Sequence, residues 1–163
     1  MIIISIDPGY ERLGIAVIQK KPKEKEVLLF SECFKTSAKL PHHQRLSLIG
    51  KHIKGVIEKY KPEMLATEKL FFSNNQKTAL LVSQALGVIV YEAALSKTPV
   101  FYYKPIQIKV AVTGYGKSDK EQVTSMVDRL IKLPAKKRHD DEYDAIAVGL
   151  THLACRHYKG VDR

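Results

Sequence analysis

A mixed α/β sheet with helices on both faces is the fold class that this sequence predicts, and three observations carry it. Three short, apolar, β-branched segments follow one another near the start, separated by turn signals, as in an antiparallel meander. The rest of the chain alternates helix-period and extended patterns, which builds helices onto the faces of one sheet. At 163 residues the chain fits one domain, whose core buries about two-thirds of the unfolded surface and needs no disulfide or metal staple. A single domain is expected over residues 1–158, with a short tail at 159–163 and neither internal repeat nor linker.

The first strand is Ile2 to Ile6, which stops at Asp7-Pro8-Gly9, a turn signal. Gly14 to Ile18 and Val27 to Phe34 supply two more strands, with the lysine-rich Lys20 to Lys25 as the tip between them. From Pro41 to Tyr60 the apolar residues Leu46, Ile49, Ile53, Val56 and Ile57 follow helical spacing, and Lys61-Pro62 closes the helix. Met64 to Leu70 returns to an extended pattern. Ser73, Asn74 and Asn75 are candidate caps for an apolar helix that Thr98-Pro99 ends, and Val100 to Tyr103 forms a short aromatic strand. Two further helices are expected at about Lys120 to Lys132 and Glu142 to Tyr158.

Twenty-seven Lys and Arg against seventeen Asp and Glu leave a net charge of +10, which favours a polyanionic partner, nucleic acid first. Charge alone fits a merely soluble, lysine-rich protein as well. Cys33 and Cys155 are the only cysteines; without a CxxC pattern they read as reduced packing residues of a cytoplasmic protein. The apolar start is too short and lacks the basic residues of a signal peptide. Ala79 to Leu95, interrupted by Ser83, Gln84 and Glu92, falls short of a membrane span and is expected to be a buried helix.

Asp7 and Glu68 each follow an apolar strand directly, the place where an open α/β sheet presents its ligand crevice. Each has a plain alternative: Asp7 as the cap of its own turn, Glu68 as an edge-strand charge. Asp141 and Asp144 are three residues apart at the start of the last helix, so they share one face. Acids in a first turn also complement the helix dipole, but Asp144 leads straight into the apolar face. Together the four form a hard, all-oxygen set suited to Mg²⁺ or Mn²⁺. Two such ions roughly 4 Å apart serve an in-line phosphodiester displacement. An actin-like phosphotransferase, using Asp7, Gly9 and Gly14 around nucleotide phosphates, and a non-catalytic DNA-binding module remain as alternatives.

Ile6-Asp7-Pro8-Gly9, Glu68, Thr78-Ala79-Leu80 through Gln84-Ala85-Leu86-Gly87, Val112-Thr113-Gly114-Tyr115-Gly116-Lys117 and Asp144-Ala145-Ile146-Ala147 with Thr151-His152, in this order, closely resemble the RuvC-type crossover junction endodeoxyribonucleases. The resemblance runs from Ile2 to about His157. It implies an RNase H-like fold with a five-stranded mixed sheet, and a homodimer that resolves four-way (Holliday) DNA junctions by paired symmetric nicks. It further implies two Mg²⁺ per active site, with Mn²⁺ able to substitute, and a place in bacterial recombination and repair beside RuvA and RuvB. Carried over by position, Asp7, Glu68, Asp141 and Asp144 are the catalytic metal ligands. Phe71 meets bases near the crossover, and Lys109 and Lys120 face the scissile backbone. One departure is the doubled acid in Arg138-His139-Asp140-Asp141; Asp141 keeps the three-residue spacing to Asp144.

Overall fold

Five strands order as β3-β2-β1-β4-β5, where β1 is Ile2–Asp7, β2 Arg12–Gln19, β3 Val27–Lys35, β4 Met64–Glu68 and β5 Val100–Tyr103. The computed structural model describes residues 1–70 and 76–155. The first three strands form the antiparallel meander, whereas β1–β4 and β4–β5 pair in parallel. The carboxyl ends of β1, β4 and β5 therefore open on the same edge of the sheet.

Helices cover both faces, as expected of strands buried on two sides. Successive side chains of a strand point to opposite faces, and β1 divides accordingly. Ile4 and Ile6 join a core with Ile49 and Ile53 of α1 (His42–Tyr60) and Ala85 and Ile89 of α2 (Gln76–Leu95). Ile3 joins a second core with Ile108 of α3 (Pro105–Thr113), Val123 and Val127 of α4 (Lys120–Leu130) and Ile146 of α5 (Asp140–Cys155). Ser5 and Asp7 share the parity of Ile3, so both face α5.

Helix α3 is not expected from the sequence. Its Ile106, Ile108, Val110 and Val112 alternate at the period of a strand. Pro105 at the first helical turn supplies a helical φ, the Gln107 side chain accepts the Lys104 N–H at 2.7 Å, and Ile108 with Val112, four apart, are the pair that buries. The helix ends at Gly114, whose φ of 78° is left-handed backbone that glycine adopts without strain.

Helix α2 departs from expectation in exposure. Its Ala85, Leu86, Ile89 and Ala93 are buried, whereas Leu80, Tyr91 and Leu95 stand 58, 60 and 62% exposed. Lys77–Leu95, with a mean hydropathy of 1.6, is long and apolar enough by composition to cross a membrane, unlike the expectation that its polar residues take it below that level. His152, by contrast, is a satisfied core histidine: its Nδ1 lies 2.7 Å from the Tyr103 hydroxyl.

Helix α5 lies across β1 and β2 at a depth that glycines set. A Cβ at Gly149 would stand 2.7 Å from both Ser5 Oγ and Ile18 Cδ1, two side chains with no solvent exposure. Gly149→Ala is expected to cost about 1–3 kcal/mol, as overpacking of a filled core does, read as a lower urea midpoint with an unchanged slope. At the far rim of the sheet, the Lys132 N–H donates to Glu26 O and its carbonyl accepts from Leu28 N–H. That peptide thereby pairs with the outer side of β3 next to Val27.

Candidate active site

Asp7, Gly14 and Cys33 stand in a row across β1, β2 and β3, all on the face toward α5. Glu68 ends β4 one residue beyond the Ile6–Thr67 pair, beside Asp7 and with the same parity. The first turn of α5 sits directly over the row. A Cβ at Gly14 would fall 2.0 Å from Asp141 O and 3.0 Å from Asp7 Cβ, so only glycine admits the helix this close. Asp141 and Asp144, three apart on α5, are thus carried to the strand-end acids.

The charges interact strongly. The Asp7 carboxyl is pushed up to about 8, by burial first and then by Asp144, Glu68 and Asp141. Burial and the neighbouring Asp144 raise Glu68 in the same way, offset in part by Lys109. Asp144 is raised by burial against the opposing pull of Lys120. Asp141 moves the other way: burial alone would raise it, but Arg12 and the Cys33 thiol outweigh burial and hold it below the usual range.

Two cations hold the helix acids. Arg12 donates to Asp141 Oδ2, and the Cys33 thiol donates to the same oxygen at 3.4 Å. Lys120 Nζ lies 3.2 Å from Asp144 Oδ2 and 3.3 Å from Asp140 Oδ2. Asp140 itself points outward, its side chain 72% exposed, and is not among the groups that perturb Asp7. Glu68, Asp144, Lys109 and Lys120 line a common cleft of about 210 Å³, so the structure brings both candidate lysines to the carboxylates.

Among the described residues, no three His, Cys, Asp or Glu side chains stand close enough to hold one metal ion as they are placed. Arg12 pairs with Asp141 and Lys120 with Asp144 in this arrangement. The donor set nonetheless fits a hard divalent ion: its members are carboxylates, and Asp7, at the centre, is left with a deficit of positive charge.

A family model described as crossover junction endodeoxyribonuclease RuvC matches residues 3–152. The chain belongs to the RuvC family. It is 41% identical over 154 residues to the crossover junction endodeoxyribonuclease RuvC of Moorella thermoacetica, covering 94% of this chain and 92% of the relative. Its fold matches T. thermophilus RuvC, solved in complex with a Holliday junction substrate, with a TM-score of 0.92, 33% identity and coverage of 99% and 98% of the two chains. The yeast mitochondrial Holliday junction resolvase shares the fold alone, at a TM-score of 0.71 and 11% identity over 96% and 82% of the chains. The expected RNase H-like, five-stranded architecture is thereby established.

Within this RuvC-family site, Phe71 lies outside the described residues. Sequence reasoning missed Arg12 and Cys33. Arg12 carries no spacing signal, and Cys33 without a CxxC partner looks like packing; the pairing of Gly14 with Cys33 beneath the α5 turn brings them to Asp141.

Proposed function

We propose that this chain is a metal-dependent endonuclease that resolves four-way (Holliday) DNA junctions by paired, symmetric nicks, acting as a homodimer in homologous recombination and DNA repair. The observation that carries the reading is the convergence of Asp7, Glu68, Asp141 and Asp144 at one edge of the sheet, in a chain of net charge +10. These four residues would hold two Mg²⁺, with Mn²⁺ able to substitute. When bound, such ions supply an activated water and stabilise charge on the attacking and leaving oxygens of phosphodiester hydrolysis. Lys109 and Lys120 line the cleft, where an ammonium offsets charge that develops on the phosphate. Lys120, which pairs with Asp140 and Asp144, would exchange those partners for a phosphate oxygen of the DNA strand. Phe71 remains proposed as a base contact.

A synthetic four-way junction incubated with Mg²⁺ or with EDTA, its nicks mapped on each strand, tests the reading. Symmetric nicks in Mg²⁺ alone are expected. Binding without nicking in Mg²⁺ would leave a binding module, and ATP turnover would favour the phosphotransferase alternative.

Paired nicks need two sites at fixed separation, which a two-fold axis supplies. The uncovered side of α2 supports that assembly: Leu80, Tyr91 and Leu95 are exposed, and a Cβ at Gly87 would meet nothing. Ala79, Ser83 and Gly87, four apart, form a stripe of small side chains that admits a second helix closely. A helix this apolar is better matched by another protein surface than by water. Action beside RuvA and RuvB, in the cytoplasm, completes the proposal.

At the doubled acid, Asp141→Asn is expected to lower cleavage by about 10²-fold or more, as loss of one charge-stabilising group does, and Asp140→Asn by less than about threefold. Single-turnover rates on one junction decide between them. The reverse ranking would assign the ligand to Asp140.

A further inference from the structure

We propose that Glu142 is a positioning residue, one that sets the rotation and height of the first turn of α5 and through it the placement of Asp141 and Asp144. Glu142 is a carboxylate only 2% exposed, on the side of α5 turned away from the acid cleft. Both its oxygens are bound. Oε1 accepts the His139 N–H at 3.1 Å, while Oε2 accepts the Ser31 hydroxyl at 2.6 Å and the Lys136 ammonium at 2.9 Å. Lys136 also reaches Ser31 O at 2.9 Å, and Arg138 Nε reaches Ser31 Oγ at 3.3 Å.

A helix cap explains the bond to His139 but not the others. The second oxygen ties the helix to the middle of β3, and the strand registers the result. Ser31 and Cys33 lie two residues apart on one face of β3; Ser31 holds Glu142, and Cys33 touches Asp141. Two consecutive helix residues are thus read against two same-face strand residues, which fixes both rotation and axial position. Gly14 sets the remaining coordinate, depth. Asp144, one turn on, follows rigidly.

The inference rests on the metal reading of Asp141 and Asp144, and Mn²⁺ binding to DNA-free protein, followed by electron paramagnetic resonance, separates the two. Glu142→Ala is expected to weaken Mn²⁺ binding by about 10-fold to 100-fold, the usual effect of losing a group that orients ligands. Junction binding in EDTA should change less than about twofold, because Glu142 is buried and meets no DNA. Glu142→Gln, which can keep one of the bonds, should recover part of the affinity. Ile53→Ala, in the core on the opposite face of the sheet, should lower thermal stability without moving Mn²⁺ affinity. If Glu142→Ala fails to fold, Lys136→Met removes one partner only and should still weaken Mn²⁺ by about threefold or more. A folded Glu142→Ala protein, or a Lys136→Met protein, with parental Mn²⁺ affinity would overturn the proposal, as would an equal loss in Ile53→Ala. Wild-type protein that binds no Mn²⁺ would remove both this proposal and the metal reading.

Discussion

Asp7→Asn is expected to bind a four-way junction as tightly as the parent chain and to cut it about 10³-fold more slowly. The amide keeps the shape of the carboxyl and loses the charge that binds metal; several kcal/mol of transition-state stabilisation correspond to roughly that factor. A second result separates charge from shape. Asp7 is pushed up to about 8, by burial first and then by three neighbouring acids. A carboxyl whose folded pKa lies above its unfolded value destabilises the fold once pH rises past the unfolded value, increasingly so until the folded one is reached. In EDTA at pH 7 the asparagine variant should therefore melt at a higher temperature than the parent, and the gap should close as pH falls toward 4. Cleavage within a few-fold of the parent would remove Asp7 from the site, and a lower melting temperature in EDTA would contradict the repulsion.

Ser83→Arg is expected to give a folded monomer that binds DNA but makes no paired nicks. In a two-fold dimer joined through α2 the substitution places two like charges across the axis, and such juxtaposition costs several kcal/mol, equivalent to a rise in dimer dissociation constant of about 10²-fold or more. Ser83 is only half-buried within its own chain, so the fold itself should tolerate the change. Sedimentation equilibrium on the purified variant measures it. An intact dimer would move the interface away from this stripe.

Asp7 and Glu68 are legible in the sequence as a pair, since each acid follows an apolar strand and each alone has a plain alternative, a turn cap for Asp7 and an edge-strand charge for Glu68. Asp141 and Asp144 were visible through their three-residue spacing. Arg12 and Cys33 were not, since what they do depends on the β2–β3 register and on a helix more than a hundred residues later. Helix α3 was hidden by β-branched alternation that Pro105 and the Ile108–Val112 pair override. The membrane-like composition of α2 was underestimated, and composition alone does not tell which of its faces the fold covers. Glu142 looked like one more first-turn acid; its partners Ser31 and Lys136 come together only when the last helix lies on β3.

The Lys132 peptide on the outer side of β3 bears on how the protein behaves when crowded. An open sheet edge is a template on which another chain can add, the first step of ordered aggregation. Here the N–H of Leu28 and the carbonyl of Glu26 are already taken by Lys132, with Lys136 bound to the Ser31 carbonyl farther along. Self-addition along that edge is blocked by the chain's own backbone and by a positive charge. The guard belongs to the β3 edge; β5 forms the other edge of the sheet.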